Sequence, residues 1–220
     1  MYEIILTYFK NPVKVVVLCT LIYSILSLKK IGRMHKYLLT VLIVCFIIEL
    51  LNTTLKVCGI STVISTTFGT IIHHGIWLLI LGNFVHFRFP YKVLLYSFLF
   101  ISFVNLFFIE GAITFNYSTF ITGAFIYIFI FTYECFQKLK SENLLFFSSN
   151  NFVLISAPII LFFGYSFYFS FKDYWLGEIK IYGVKFYDIL SLFVNVIYYT
   201  FLNLYIYRQV KSDYAGKRQD

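Results

Sequence analysis

The chain has 220 residues, of which 60% are hydrophobic, 22% aromatic and 13% charged, with a formal net charge of +8. A charged fraction about half the ~25% of a soluble domain, with mean hydropathy of +0.82, excludes an ordinary soluble globular protein and leaves little chain for anything beyond apolar spans of about 20 residues each. In a soluble protein such a basic excess would point to nucleic acid. Here the Lys and Arg residues fall in short clusters between apolar runs, where they set membrane orientation, and no nucleic-acid partner is expected.

The opening MYEIILTYFKNPVK lacks a small-residue cleavage site and is read as retained, with its first ten residues also able to form a separate interfacial helix. The first span is placed at 12–28, with Pro12 suited to an opening helical turn. A basic loop of Lys29, Lys30, Arg33 and Lys36 follows, then a second span at 37–57. Thirteen Leu, Ile, Val and Phe residues in that span, at roughly 0.3 to 0.6 kcal/mol each, outweigh the cost of inserting Glu49. The third span is placed at 63–85, ahead of HFRFPYK, whose Arg88, Pro90 and Lys92 mark a turn, and the fourth at 93–109.

After the connection Gly111 to Ser118, the fifth span covers 119–136 and runs into Lys138 and Lys140. The apolar stretch LLFFSSNN, 144–151, is too short to cross and is expected to lie at the interface or to begin the next helix. The sixth span, 152–171, contains Pro158, which removes one backbone hydrogen bond. The longest connection, 172–185, precedes a seventh span at 186–207 and the basic tail RQVKSDYAGKRQD.

The expectation is an all-α, integral membrane bundle of seven transmembrane helices forming one domain over 1–220. With the N-terminus outside and the C-terminus cytoplasmic, twelve Lys and Arg fall on the inner side and six on the outer, so this orientation in a cytoplasmic (inner) membrane is expected. Cys19, Cys45, Cys58 and Cys135 form no C-x-x-C pair, which argues against a structural disulfide. The many Tyr and Phe residues suit helix interfaces and the belts at both membrane surfaces.

Ionisable groups inside membrane helices cost roughly 2.5 to 3.5 kcal/mol and normally face protein or water, so they direct attention to Glu49, His73 and His74. Cys45, Glu49, Asn52, Thr53 and Lys56 recur at helical spacing and form one polar stripe on the second span. At 1.5 Å of rise per residue, Glu49 lies roughly 12 Å from the outer end of its helix, His73 and His74 roughly 15 to 17 Å from theirs, and Asn195 roughly 14 Å from its own. An antiparallel pairing of the second and third spans would let Glu49 meet a histidine. Glu49, Asn52, His73, His74 and Asn195 are therefore the candidate ligand- or proton-binding residues, forming either a polar cavity open to the outside or a hydrogen-bonded clamp that fixes helix register. Asn105, Asn203 and Asp188 are read as packing or interface residues, and His35 is placed in a loop.

Several chemistries lack their residues. The last span has no lysine for a retinal Schiff base, and the intramembrane histidines do not come from facing helices as a haem requires. Two adjacent histidines point about 100° apart on a helix, a poor start for zinc. No H-E-x-x-H, G-x-S-x-G or Gly-rich phosphate loop occurs. No catalytic residue, metal or cofactor is expected, and the protein is read as non-enzymatic.

The stretches YLLTVLIVCFIIELLNTTLK, IYIFIFTYECFQKLKSE with FFSSNNFVLISAPIILFFGYSFYF, and SLFVNVIYYTFLNLYIY resemble the short, uncharacterised seven-span membrane proteins common in Bacteroidetes-type bacteria. That resemblance implies a sensory role beside a signalling protein and carries over no site residues. The leading expectation is a receptor-like or accessory component acting through a membrane or cytoplasmic partner, because the inner loops and tail are too short for an output domain. The alternatives are a small-solute or proton-coupled transporter, or a structural subunit of a larger membrane complex. The comparison of spans one to three with five to seven finds no internal repeat of the kind small carriers use.

Overall fold

The computed structural model describes residues 2–27, 33–84, 91–174 and 177–216. Lys29, Lys30 and the turn expected at Arg88 and Pro90 lie outside the described residues, as do the last four residues of the tail.

Residues 2–26 fold as two helices, α1 (Tyr2–Phe9) and α2 (Pro12–Leu26), which meet at 94°. The elbow follows from Asn11-Pro12. Pro12 occupies the first turn, where no N–H is needed, and the Asn11 side chain accepts from the Val13 N–H at 2.9 Å. The long helices are α3 (Arg33–Val57), α4 (Val63–Gly82), α5 (Tyr91–Val104), α6 (Tyr117–Lys140), α8 (Asn150–Phe171) and α9 (Phe186–Gly216). α5 ends in one wide π-helical turn, Asn105–Ile109, where the Asn105 carbonyl accepts from the Glu110 N–H at 3.0 Å.

Among the described residues, six helices are long and apolar enough to cross a membrane, and a seventh crossing is made if the bent pair α1–α2 counts as one span. α2 alone, with 15 residues, is about 22 Å long and falls short of a ~30 Å hydrocarbon core. The protein is a multi-pass helical membrane bundle, with no sheet core among the described residues. Its outward faces agree with lipid as solvent: Phe100, Phe103, Phe107 and Phe108 of the α5 segment, and Phe125, Phe129, Phe163 and Phe167 on α6 and α8, are all exposed.

Several boundaries differ from the sequence reading. α3 starts at Arg33, so His35 and Lys36 are helical rather than part of a loop. The early start is fixed by His35, which is fully buried and donates from Nε2 to the Ser24 carbonyl at 2.9 Å, with the Ser24 hydroxyl at 3.0 Å. The 144–151 stretch splits into a short helix α7 (Leu145–Ser148) and the start of α8, with Ser149 between them as an N-cap accepting from Phe152 N at 3.1 Å. Pro158 sits inside the continuous helix α8.

The 172–185 connection contains a hairpin, β1 (Lys180–Ile181) paired antiparallel with β2 (Val184–Lys185). Both turn residues are left-handed, Tyr182 at φ 49° and Gly183 at φ 81°, the combination that matches strand twist in a two-residue hairpin. Gly183 adopts it freely, whereas a Tyr there costs about 1 kcal/mol. Tyr182→Asn is expected to slow amide exchange within the hairpin about fivefold, since Asn tolerates that region. Unchanged exchange of the Ile181 and Val184 amides would show that the turn does not limit hairpin opening.

Packing closes the helices into a ring in the order α2, α3, α4, α6, α8, α9 and back to α2, with α5 outside against α4 and α6. Glycines allow the tightest approaches. A Cβ on Gly69 would lie 2.8 Å from Ile48 Cγ2, and one on Gly164 would lie 2.6 Å from Val194 Cγ1. The two ends of the ring differ. At the end bearing the α2–α3 connection, Leu38, Leu42, Trp77, Leu81, Tyr127, Leu154 and Leu202 fill the interior. At the end bearing the hairpin, the axis is hollow.

Candidate functional site: a polar cavity on the ring axis

The hollow is a cavity of about 370 Å³ to which all six ring helices contribute: Lys14 from α2, Glu49 and Asn52 from α3, Thr70, His73 and His74 from α4, Phe120 from α6, Tyr165 from α8, and Ser191 and Asn195 from α9. The five residues singled out in the sequence thus line one space. They reach it because each sits on the inward stripe of its helix at comparable depth.

They do not pair as expected. Glu49 meets Lys14 rather than a histidine: Glu49 Oε2 lies 3.2 Å from Lys14 Nζ, which also donates to the Thr53 hydroxyl. The elbow at Asn11 explains this. α2 is short, so its first turn starts level with the middle of α3, and an ammonium three residues into the helix reaches a deep carboxylate. The ion pair stays half-open, with Lys14 15% and Glu49 37% exposed, so it is worth less than a fully desolvated pair. Tyr8 of α1, buried beneath α3, sends its hydroxyl to the Lys14 carbonyl at 3.4 Å and places its ring 5.5 Å from Lys14 Nζ.

Asn52 is bound to α4. Its Nδ2 donates to Thr66 Oγ1 at 3.1 Å and its Oδ1 accepts from Ser65 Oγ. Asn195 Nδ2 donates to Tyr165 Oη and to the Ser191 carbonyl, both at 2.8 Å, and Tyr165 and Ser191 share a hydroxyl contact at 2.7 Å. These bonds tie α3 to α4 and α8 to α9 around the cavity.

The histidines form its floor. Trp77 Nε1 donates to His73 Nε2 at 3.2 Å and to Tyr198 Oη at 3.1 Å, with 3.4 Å between those two acceptors. His73 Nε2 therefore carries a lone pair. His74 donates from Nδ1 to the Thr70 carbonyl at 2.9 Å, because a carbonyl only accepts, which leaves Nε2 also as an acceptor. Among the described residues, that nitrogen has no hydrogen-bond partner. The His74 ring stacks on Phe162 at 4.3 Å and meets Phe120 edge-on at 4.8 Å.

Two further spaces adjoin this one. An aromatic recess of about 470 Å³ shares Thr66, Thr70, Phe120, Tyr165 and Tyr187 with it and adds Phe115, Tyr117, Tyr168 and Phe169. A rim space of about 550 Å³ shares Asn11, Lys14, Asp188 and Ser191 and adds the exposed Lys10 and Lys56. Asp188, read from sequence as a packing or interface residue, is exposed on the rim of both. Asn203 and Asn105 hold helices together: Asn203 donates to Thr20 Oγ1 of α2 at 3.0 Å, and Asn105 to Glu110 Oε2 at 2.7 Å and Thr119 Oγ1 at 2.9 Å.

Sequence reasoning missed Lys14 as the partner of Glu49, the Trp77–His73–Tyr198 floor, and a second buried carboxylate, Glu134 of α6, which pairs with Lys138 at 3.2 Å. One signal pointed to the first of these. A lone base and a lone acid in consecutive apolar segments neutralise each other more cheaply than either is buried alone. Among the described residues, no group of three His, Cys, Asp or Glu gathers in a way that would hold a metal ion. Comparison with protein-family models, curated proteins and solved structures finds no match for the chain.

Proposed function

We propose that the protein is a non-enzymatic, receptor-like component that binds a small molecule in the axial cavity and passes the resulting change to a membrane or cytoplasmic protein partner. In this reading the chain spans a cytoplasmic membrane seven times, N-terminus outside, with the cavity facing out. The observation that carries it is the convergence of Glu49, Asn52, His73, His74 and Asn195 on one hollow of about 370 Å³, a volume within the range of small-molecule sites. Polar groups so placed in a membrane bundle are costly unless used.

The filled half beneath His73 favours a receptor over the carrier alternative. Trp77, Tyr127, Leu81 and Leu154 are buried across the axis there, and a transport cycle would have to unpack them. Signal transfer through helix shifts against a partner requires no such opening.

The test is a thermal-shift screen of small polar molecules on the detergent-purified protein beside Thr70→Trp, which fills the space between the aromatic recess and the cavity. A hit expected on this reading stabilises the wild type by several degrees and leaves Thr70→Trp unmoved, and it changes the amount of partner co-purified in mild detergent. Hits that stabilise both equally would place binding elsewhere. Solute uptake into proteoliposomes that is lost in Glu49→Gln would favour the carrier.

A further inference from the structure

The rim space beside the α1–α2 elbow combines charge, depth and an apolar track in a way that suits a lipid headgroup. α1 leaves α2 at 94°, so where α2 runs across the bilayer α1 runs along its surface. The residues of α1 fit that place. Glu3, Thr7 and Lys10 follow one face at helical spacing, while Tyr2, Ile5, Leu6 and Phe9 are exposed apolar residues on another.

α2 is also short. Its 15 residues reach about 22 Å, against about 37 Å for the 25 residues of α3 beside it. The wall of the bundle therefore steps down at the elbow. A span too short for the ~30 Å hydrocarbon core is accommodated by local thinning, which draws headgroups inward.

The step is the rim space of about 550 Å³, bordered by Thr7, Lys10, Asn11, Lys14, Lys56 and Asp188. Its lining holds three bases and one acid. With Lys14 paired to Glu49 beneath, Lys10 and Lys56 still outnumber Asp188, and neither has an ion pair among the described residues. Neutral and shared donors add to them. Asn11 spends Oδ1 on the Val13 N–H and keeps Nδ2, Lys14 keeps a third N–H beyond Glu49 and Thr53, and α2 starts here with its positive end. An apolar track leads away from these groups: Ile189 and Leu192 line the space and, with Val196, form an exposed stripe at helical spacing along α9.

We infer that this notch holds an anionic phospholipid from the leaflet at the hairpin end, its phosphodiester between Lys10 and Lys56 and one acyl chain along Ile189, Leu192 and Val196. A single phosphodiester carries the one negative charge that balances Lys10 and Lys56 against Asp188. A choline or ethanolamine headgroup brings its own cation, so the excess stays unmet even with that cation on Asp188. Free phosphate offers the same oxygens and no chain for the α9 stripe. The site holds its lipid whether or not the axial cavity takes a ligand.

Native mass spectrometry of the purified full chain, from micelles with equal phosphatidylglycerol and phosphatidylcholine, reads the preference. Phosphatidylglycerol is expected to be retained at least about tenfold over phosphatidylcholine, with Lys10→Gln and Lys56→Gln each lowering that ratio about fivefold and the pair abolishing it. Lys180→Gln removes an exposed base from the hairpin at the same end and should leave the ratio unchanged. An equal loss in Lys180→Gln means that diffuse surface charge attracts the lipid, and overturns the site. Equal retention of the two lipids by the wild type overturns it too. Displacement of phosphatidylglycerol by millimolar inorganic phosphate overturns the lipid and makes the notch a site for soluble anions.

Discussion

Replacing Trp77 with alanine is expected to destabilise the bundle by about 3 to 5 kcal/mol, the cost of deleting a fully buried indole. Trp77 is 0% exposed and its ring contacts His73, Tyr127 and Tyr198 at centroid distances of 6.0 to 6.4 Å. It also supplies the one N–H shared by His73 Nε2 and Tyr198 Oη. Trp77→Phe separates the two contributions. It keeps most of the volume and loses the donor, and Tyr198 can then turn its own hydroxyl proton to His73 across 3.4 Å. That variant should lose only about 1 kcal/mol. Unfolding midpoints of the three proteins in one detergent measure this, and a Phe variant as damaged as the Ala variant would make the hydrogen bond, not the packing, the main term.

Gly123→Val is the second large effect, expected at about 3 kcal/mol from overpacking. Even a single Cβ at Gly123 would stand 2.6 Å from His74 Cδ2 and 2.7 Å from Phe98 Cε2. Neither ring has room to yield: His74 is stacked on Phe162, and Phe98 is fully buried. The substitution must push α6 from α4 or turn His74 off its bond to Thr70, so it reaches the cavity floor from outside. Combining it with Phe98→Leu should recover about half of the loss. No recovery would mean that His74, not Phe98, sets the limit.

The parts of this architecture that depend on local pattern were legible in the residues, and the parts that depend on which helix stands beside which were not. The polar stripe of α3 has helical period, so Glu49 and Asn52 had to share a face before any neighbour was known. Depth counted in residues then put Glu49, His73, His74 and Asn195 in one layer, and all four line one cavity. Pairing within the layer is tertiary. His73 and His74 point about 100° apart, one toward Trp77 and Tyr198 and the other into Phe120 and Phe162, and neither direction is encoded near Glu49. Lys14 reaches that carboxylate only because the chain turns through 94° at Asn11 and shortens α2. The hairpin in the 172–185 connection was hidden because its left-handed pair is Tyr-Gly, where Asn-Gly would have announced it. His35 looked like a loop residue among basic neighbours, and its burial depends on Ser24 of another helix.

The contrast between the two halves of the ring has a mechanical consequence. Close-packed interiors have low compressibility, whereas internal void is the volume that pressure removes. One end of this bundle, cored by Trp77, Tyr127, Leu154 and Leu202, behaves as a rigid plug. The other, with its hollow axis and helix ends joined by short polar ties, is the compliant end. Hydrostatic pressure should therefore act on this membrane protein unevenly, drawing the hairpin ends of α3, α4 and α9 inward while the plugged end keeps its spacing.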